Sequence, residues 1–348
     1  MNQDDAGVSI LKTIWRLRED GRWGIHDLKG IELKPRPNSE PDFFRFESEM
    51  ELMTSSPRSM NVHEIFNSFG PTDFLLKQSI LPVIAWIRGE SPIRCVGSAF
   101  VVSCTGLLIT AGHVLLDPQD RNYAKVTRQG STLTYPAELN MGVLVPISPA
   151  YGRRGYRFFP FLHSWYWGQW QDSPLLHQQA QFNFLTDIAI CKIAPMPHAA
   201  HQPLNLSLRR FSKGEKAYAL GYAEMPDIPF EERDGQMVIP RFSQDLYVSV
   251  GEVVENFPEN HLRRDVPTPG PCFDLRAKMP GRMSGGPIFG GDGAVVRGVV
   301  SRSFSGERHA YGAMLGPAMH LPLGRDTTFK KIMDTGNEGI PVLQGPDL

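Results

Sequence analysis

The chain has 348 residues, of which 41% are hydrophobic and 21% are charged, a balance that supports a full apolar core and is not typical of disorder. The chain has 36 Lys and Arg residues and 37 Asp and Glu residues, and the resulting net charge of −1 argues against a protein that binds nucleic acid or an anionic membrane. The 33 glycines and 29 prolines favour short strands joined by turns over a helical bundle.

The N-terminal part of the chain predicts an extension before the folded domains. Residues 7–19 place apolar side chains at helical spacing, which predicts a short amphipathic helix. Residues 29–60 are rich in Pro, Ser and Glu, which predicts an irregular linker with one short strand. The first residues are acidic and no apolar segment of signal-peptide type follows them, so we expect a cytoplasmic protein. The extension is either a regulatory, partner-binding arm or a structural brace on the domain that follows.

The remainder shows short apolar runs separated by Gly and Pro turns, a pattern that indicates a β-sandwich or barrels. Residues 95–116 carry no charged side chain over the length of a membrane span, but their glycines and polar side chains favour two buried strands and a turn. The strands predicted are residues 80–87, 97–103, 106–110, 187–193, 216–220, 246–254, 286–289, 295–301 and 309–315.

Residues 151–184 hold eleven aromatic side chains, and this segment has two interpretations. One is a stacking platform for single-stranded nucleic acid or carbohydrate. The other is a long loop whose aromatic side chains fold back onto the domain or onto a partner. Only three arginines accompany the aromatic residues, so we favour the loop.

Three short segments carry the residue types of acyl transfer by a serine. The sequence TAGH ends at His113 after an apolar run, TDIAI places Asp187 before an apolar strand, and GRMSGGP places Ser284 in a glycine-rich turn. A serine hydroxyl is a weak nucleophile that needs a base within reach. A histidine can take and return the proton near neutral pH, and a buried carboxylate orients the imidazole. Each of these roles therefore has a candidate.

In this order, the three segments resemble those of the chymotrypsin-like (trypsin-like) serine peptidases, over about residues 79–323. The resemblance implies an all-β fold of two six-stranded antiparallel β-barrels, with the active site in the cleft between them. The chain is then divided into an N-terminal extension (1–78), a first barrel (79–205) with an aromatic-rich insertion (146–184), a second barrel (206–325) and a C-terminal tail (326–348).

The resemblance also implies the roles of the site residues. Ser284 is the nucleophile, His113 is the general base and then the general acid, and Asp187 is its orienting partner. The backbone N–H groups of Arg282 and Ser284 form the oxyanion hole.

The substrate cleft follows from the same resemblance. Residues 300–303 resemble the segment that pairs with the substrate backbone as an added strand, and Ser301 is expected to hydrogen-bond Asp187. Lys278 lies near the base of the family's first specificity pocket. Together with Arg302 it either favours an acidic residue before the scissile bond or extends to solvent. The predicted cleft residues are Lys278, Ser301, Arg302 and Ser303.

Three positions depart from the family pattern. Arg282 stands where a glycine is usual, and the glycine lies one place earlier, at Gly281. Either the loop is shifted by one residue, the oxyanion hole assembles only with substrate or an activator, or the enzyme is slow. Met283 replaces the aspartate that binds a new N-terminus in secreted digestive members. Cys95 resembles a cysteine that in those members bonds to a second one just after the histidine, and Val114 stands at that second position here, so that disulfide is not expected.

These observations predict an intracellular serine endopeptidase that performs limited, signalling proteolysis on a protein or peptide substrate. It resembles the stand-alone bacterial trypsin-like proteases of stress or antiviral systems. A regulatory protein partner is expected at the N-terminal extension or at residues 151–184. No cofactor, nucleic acid, membrane or metal is expected, since the pair His198 and His201 lacks a third ligand. The alternative is a catalytically weak pseudo-protease that acts as a protein-binding module.

Overall fold

The computed structural model describes short N-terminal strands, two large β units, and a helix and a strand near the C-terminus. Among these residues, no helix is both long and apolar enough to cross a membrane. The residues described are 13–17, 23–27, 34–35, 43–45, 78–88, 92–103, 105–116, 126–146, 156–171, 181–194, 203–223, 225–228, 231–233, 236–238, 246–258, 266–290, 295–303, 309–324, 326–334 and 343–344.

The N-terminal segments are strands, although the sequence predicted a helix at residues 7–19. β1 (Thr13–Leu17) pairs antiparallel with β2 (Trp23–Asp27). β-Branched and aromatic residues occupy most of β1 and favour extended backbone where a partner strand is available, so the helix prediction is wrong there. β3 (Lys34–Pro35) and β4 (Phe43–Arg45) form a second antiparallel pair within the predicted linker.

The first unit is an antiparallel sheet of nine strands. They are β5 (Ile80–Ile87), β6 (Arg94–Val101), β7 (Leu107–Thr110), β8 (Thr127–Gln129), β9 (Thr132–Thr134), β10 (Leu139–Pro146), β11 (Tyr156–Pro160), β12 (His163–Gln171) and β13 (Gln181–Lys192). Hydrogen bonds join them in the order β11-β10-β5-β6-β7-β13-β12-β9-β8. The six central strands of this order, from β10 to β12, match the number predicted for the first barrel, and short strands extend both edges.

The uncharged stretch at residues 95–116 folds as strands and one short helix. β6 and β7 form the predicted hairpin, and α1 (Gly112–Leu116) follows β7 directly. Successive side chains of a strand point to opposite faces of the sheet. Leu108 accordingly packs in a core inside the first unit, whereas its neighbour Ile109 packs in a core that also contains residues of the second unit.

The aromatic segment is not the loop that the sequence predicted. Residues 156–171 contain β11 and β12, and β12 pairs with β13. Tyr166 is buried in the core of the first unit, and Trp165 and Trp167 pack against the core shared by the two units. Aromatic side chains suit such a half-buried strand. The loop prediction is therefore wrong for residues 156–171, while the packing of these aromatic residues onto the domain is confirmed.

The second unit contains a closed six-stranded barrel. The barrel strands are β15 (Lys216–Tyr222), β18 (Leu246–Phe257), β19 (Cys272–Arg276), β20 (Pro287–Gly290), β21 (Val295–Ser303) and β22 (Ala310–Met314). The unit also contains β14 (Asn205–Ser207) beside β21 and a separate hairpin of β16 (Glu231–Arg233) and β17 (Gln236–Val238). The barrel follows the order β15-β20-β21-β22-β19-β18 and closes because β18 also pairs with β15. The predicted all-β class with a double-barrel architecture is confirmed.

Segments from both ends of the chain add to the second unit. β4 pairs with β18, and β23 (Leu343–Gln344) pairs in parallel with β14, which itself pairs with β21. Two short helices, α2 (Gly316–Met319) and α3 (Phe329–Asp334), pack into the core shared by the two units. The domain boundaries drawn from the sequence stay a prediction.

Candidate active site

His113 and Asp187 are held together by two hydrogen bonds. His113 is the second residue of α1, and Asp187 lies on β13, which pairs with β7. The backbone N–H of His113 donates to Oδ1 of Asp187 at 2.9 Å, and its ring Nδ1 lies 2.8 Å from Oδ2. An ionised carboxylate only accepts, so Nδ1 carries a proton and the Nε2 of a neutral imidazole is left as an acceptor.

The Asp187 carboxylate is buried and fully supported by hydrogen bonds. The Ser301 hydroxyl donates to Oδ2, and the Thr268 hydroxyl lies 2.9 Å from the Ser301 oxygen. Because Ser301 has one hydroxyl proton, Thr268 is the donor of that second bond. Burial alone would raise the pKa of Asp187, but the attraction of the His113 imidazole in its protonated form and the hydrogen bonds from His113 and Ser301 outweigh it and hold the pKa below its ordinary value.

Ser284 enters the same network through Ser301. Its hydroxyl donates to the Ser301 carbonyl at 2.8 Å, and its own carbonyl accepts the Ser98 N–H at 2.8 Å. The structure thus places His113, Asp187 and Ser284 around one residue, Ser301, whose hydroxyl bonds to Asp187 and whose carbonyl accepts from Ser284. A serine hydroxyl has a single proton, so in this arrangement Ser284 does not donate to His113. Rotation of its side chain must precede any transfer of that proton to the imidazole.

Two successive turns shape the backbone around Ser284, over residues 280–283 and 283–286. Each is closed by a hydrogen bond from its last N–H to its first carbonyl, at 3.4 and 3.0 Å respectively. The third residue of each turn has a positive φ, +78° at Arg282 and +88° at Gly285. This is the pattern of a type II turn, whose third position favours glycine.

Arg282 therefore adopts a backbone conformation that suits glycine. Gly281 is not among the described residues with positive φ, so the loop is not shifted by one residue as the sequence had left open. A side chain in this left-handed region costs about 1 kcal/mol relative to glycine. The turn keeps its shape nonetheless, because the Arg282 carbonyl accepts a hydrogen bond from the Ser98 hydroxyl at 3.0 Å.

The two amides expected in an oxyanion hole have no competing acceptor among the described residues. Within the part of the chain that the structure describes, neither the Arg282 N–H nor the Ser284 N–H donates a hydrogen bond to a protein group. A buried or half-buried N–H is normally paired, so two neighbouring unpaired N–H groups beside a serine can donate to an external oxygen.

The predicted cleft residues surround the start of this loop. The Ser249 hydroxyl of β18 donates to the Lys278 carbonyl at 2.6 Å, and the Ser303 hydroxyl of β21 donates to the Met279 carbonyl at 2.7 Å. Arg302 is exposed between Ser301 and Ser303, as expected from strand alternation. That these residues line a substrate cleft stays a prediction.

Sequence reasoning missed Ser98, which joins the two units at the site. Besides its bonds to Ser284 and Arg282, its hydroxyl accepts the Tyr222 N–H at 2.8 Å and its carbonyl accepts the Thr110 hydroxyl at 2.7 Å. A polar residue inside the apolar run of β6 was the available signal. Thr268 was also missed, and its surroundings in sequence carry no comparable signal.

The cysteines of the described residues are free. Cys95, Cys191 and Cys272 are all buried, and burial raises the pKa of the Cys95 thiol to about 12. No group of His, Cys, Asp and Glu among the described residues could hold a metal ion. The pair His198 and His201 lies outside those residues.

Comparison with known proteins adds a family match. The sequence profile of the trypsin-like peptidase domain matches residues 97–296, more than half of the chain and including the three site residues. No curated protein matches the sequence. Similar solved structures are the active form of the Rv3671c protease from M. tuberculosis (15% identity, 81% of this chain and 89% of that chain, TM-score 0.39), the HtrA-type protease AlgW with decapeptide (13%, 70% and 63%, 0.39) and the apo MamO protease domain from Magnetospirillum magneticum (15%, 70% and 95%, 0.38).

Proposed function

The chain belongs to the trypsin-like peptidase family and is a serine endopeptidase, and on that premise we propose that Ser284, His113 and Asp187 are its catalytic residues. Ser284 attacks the scissile carbonyl, His113 transfers the proton, and Asp187 orients the imidazole and stabilises its cation. The observation that carries this proposal is the pair of hydrogen bonds from His113 to Asp187, which leaves Nε2 as the accepting atom.

The reaction begins when the Ser284 hydroxyl rotates from the Ser301 carbonyl to the imidazole. Nε2 takes the proton as Oγ bonds to the carbonyl carbon, and the amides of Arg282 and Ser284 donate to the resulting oxyanion. The imidazolium then protonates the amine as the peptide bond breaks, leaving an acyl-enzyme. Water, deprotonated by His113, releases the acid and regenerates the Ser284 hydroxyl.

A fluorophosphonate probe tests the assignment, because it labels only an activated serine. We expect the wild type to be labelled at Ser284, as located by peptide mapping, and both Ser284→Ala and His113→Ala to show background labelling. The His113→Ala variant keeps the hydroxyl and so tests activation rather than access. Wild-type labelling no higher than that of Ser284→Ala would reject the enzyme mechanism.

We further propose that the enzyme performs limited proteolysis of a protein target inside the cell. The free, buried thiols of Cys95, Cys191 and Cys272 support a reducing compartment. A role in a stress or antiviral system rests on the family resemblance alone. Identification of new N-termini in cells with and without the active enzyme tests this: a few sites in few proteins are expected, and broad degradation would contradict it.

The N-terminal segment is the proposed regulatory element, and β4 supports this. β4 pairs with β18 over Tyr247 to Ser249, and the Ser249 hydroxyl holds the Lys278 carbonyl at the start of the active-site loop. A partner that removes or replaces β4 therefore acts on the strand that positions this loop.

A substitution in β4 tests the regulatory proposal on the full chain. Phe44→Pro removes a backbone N–H from a strand that pairs on both sides, whereas Phe44→Thr keeps it. We expect the proline variant to be labelled by the fluorophosphonate at least fivefold more slowly than the threonine variant. Equal labelling rates would remove β4 from the regulation of the site.

A pseudo-protease that binds a protein partner is the second candidate. The bond from the Ser284 hydroxyl to the Ser301 carbonyl and the strained Arg282 favour it. It requires that Ser284→Ala and His113→Ala both keep cellular function. Loss of function in both variants, with unchanged folding, would reject it.

A further inference from the structure

Arg282 keeps a large charged side chain at a backbone position that favours glycine. Its φ is +78°, and a glycine stands immediately before it at Gly281, where no positive φ is present. A strained residue beside a reacting group indicates that its side chain serves a purpose that offsets the strain. The position of the Arg282 guanidinium therefore indicates what that purpose is.

The guanidinium lies on the β6 side of Ser284. It is 3.6 Å from the Asp227 carboxylate, and Asp227 precedes Ile228, which forms a two-hydrogen-bond bridge with Ile93 just before β6. The Arg282 carbonyl also faces β6 through the Ser98 hydroxyl. The side chain thus follows the beginning of this strand, at the junction of the two units.

The other side of Ser284 is formed by β21. The Ser284 hydroxyl bonds to Ser301 there, and residues 300–303 are the proposed pairing strand for the substrate segment before the scissile bond. This step rests on the proposed function. A substrate that reaches Ser284 along β21 must continue past it towards β6, so its residues after the scissile bond pass the Arg282 guanidinium.

Asp227 is not a permanent ion-pair partner of the Arg282 guanidinium. The side chains of Arg282 and Asp227 are 36% and 44% exposed, and an exposed pair 3.6 Å apart holds its partners weakly. A substrate carboxylate with hydrogen-bonding contact competes well for such an arginine, because Arg has several N–H donors.

We propose that Arg282 is a specificity residue that selects an acidic side chain at the first or second position after the scissile bond. The carboxylate of the substrate displaces Asp227 and pairs with the guanidinium. Arg282 thereby has two roles. Its backbone N–H donates a hydrogen bond to the oxyanion, and its side chain recognises the substrate residues after the scissile bond. This differs from the acidic preference before the scissile bond that Lys278 and Arg302 suggested.

The experiment is cleavage of a proteome-derived peptide mixture, with the cut sites sequenced by mass spectrometry. For the wild type we expect Asp and Glu to be enriched about fivefold over Asn and Gln at the first two positions after the cut. Arg282→Gln keeps the backbone strain and a polar side chain without the positive charge, and it should lose the enrichment. Asp227→Asn removes the competitor and should increase it, and 1 M salt should reduce it.

The readout is a ratio between cut sites, so a general change in rate does not alter it. Cleavage without acidic enrichment in the wild type, or an unchanged enrichment in Arg282→Gln, would overturn the specificity role alone. Absence of any cleavage together with absence of fluorophosphonate labelling would overturn the proposed function itself. Cleavage absent in the presence of labelling would also overturn the inference, because the mixture contains acidic residues at every spacing.

Discussion

The imidazole half of the site (His113 and Asp187) and its serine half (Ser284 and residues 281–285 around it) differ in how completely they are prepared for reaction. On the first, Asp187 accepts bonds from the backbone N–H and the Nδ1–H of His113 and from the Ser301 hydroxyl, so both of its carboxylate oxygens are engaged. On the second, the Ser284 hydroxyl is turned to the Ser301 carbonyl and Arg282 occupies a glycine conformation. The step that limits readiness therefore lies on the serine side.

The largest expected effect comes from breaking the prepared half with Asp187→Asn. The amide would donate to Nδ1, so the imidazole would keep its proton on Nε2 and lose its capacity as a base. We expect kcat to fall about 10⁴-fold, measured by peptide cleavage. Circular dichroism and thermal melting control for folding. A loss of less than tenfold would show that the carboxylate does not orient the base.

The next largest effect is a difference in stability between alanine substitutions at the two glycines of the serine half, Gly281 and Gly285. A Cβ at Gly285 would lie 2.0 Å from the Ser98 carbonyl oxygen at a φ of +88°, whereas a Cβ at Gly281 meets open space. We expect Gly285→Ala to reduce the free energy of unfolding by about 3 kcal/mol and Gly281→Ala to change it by less than about 0.5 kcal/mol. Urea denaturation measures both. Equal effects would mean that the turn does not have this shape.

The smallest expected effect comes from relieving the backbone strain at residue 282. Arg282→Gly and Arg282→Ala both remove the guanidinium, but only glycine suits the positive φ. We expect the glycine variant to be more stable than the alanine variant by about 1 kcal/mol, again from urea denaturation. An alanine variant as stable as the glycine variant would show that residue 282 does not hold this conformation in solution.

Much of the first unit could be predicted because its strands are uninterrupted apolar runs between turn residues. β5 was predicted at its observed bounds, and β7 and β13 followed from the runs that flank His113 and Asp187. β12 was missed because aromatic residues at alternating positions suit both a strand and a surface loop. Residues 7–19 fit a helical period as well, and within them pairing with β2 decided for the strand at residues 13–17.

The sequence predicted which residues come together at the site, but not the orientation of the Ser284 hydroxyl or the backbone conformation of Arg282. Chain order and local motifs predicted His113, Asp187 and Ser284, since each segment carries its own residue type, and the structure places all three around Ser301. The orientation of the Ser284 hydroxyl depends on a carbonyl 17 residues away, and the positive φ of Arg282 depends on bonds to β6. Such long-range contacts leave no local signature in the sequence.

One residue of the first unit, Ser98, links that unit to the second unit beside the active site. It binds the serine segment through its N–H, the Arg282 carbonyl through its hydroxyl and Tyr222 at the end of β15. Opening the cleft by a hinge would break all three at once. These three bonds therefore oppose a hinge opening between the two units at this point. The Ser98 amide should exchange with deuterium only on global unfolding.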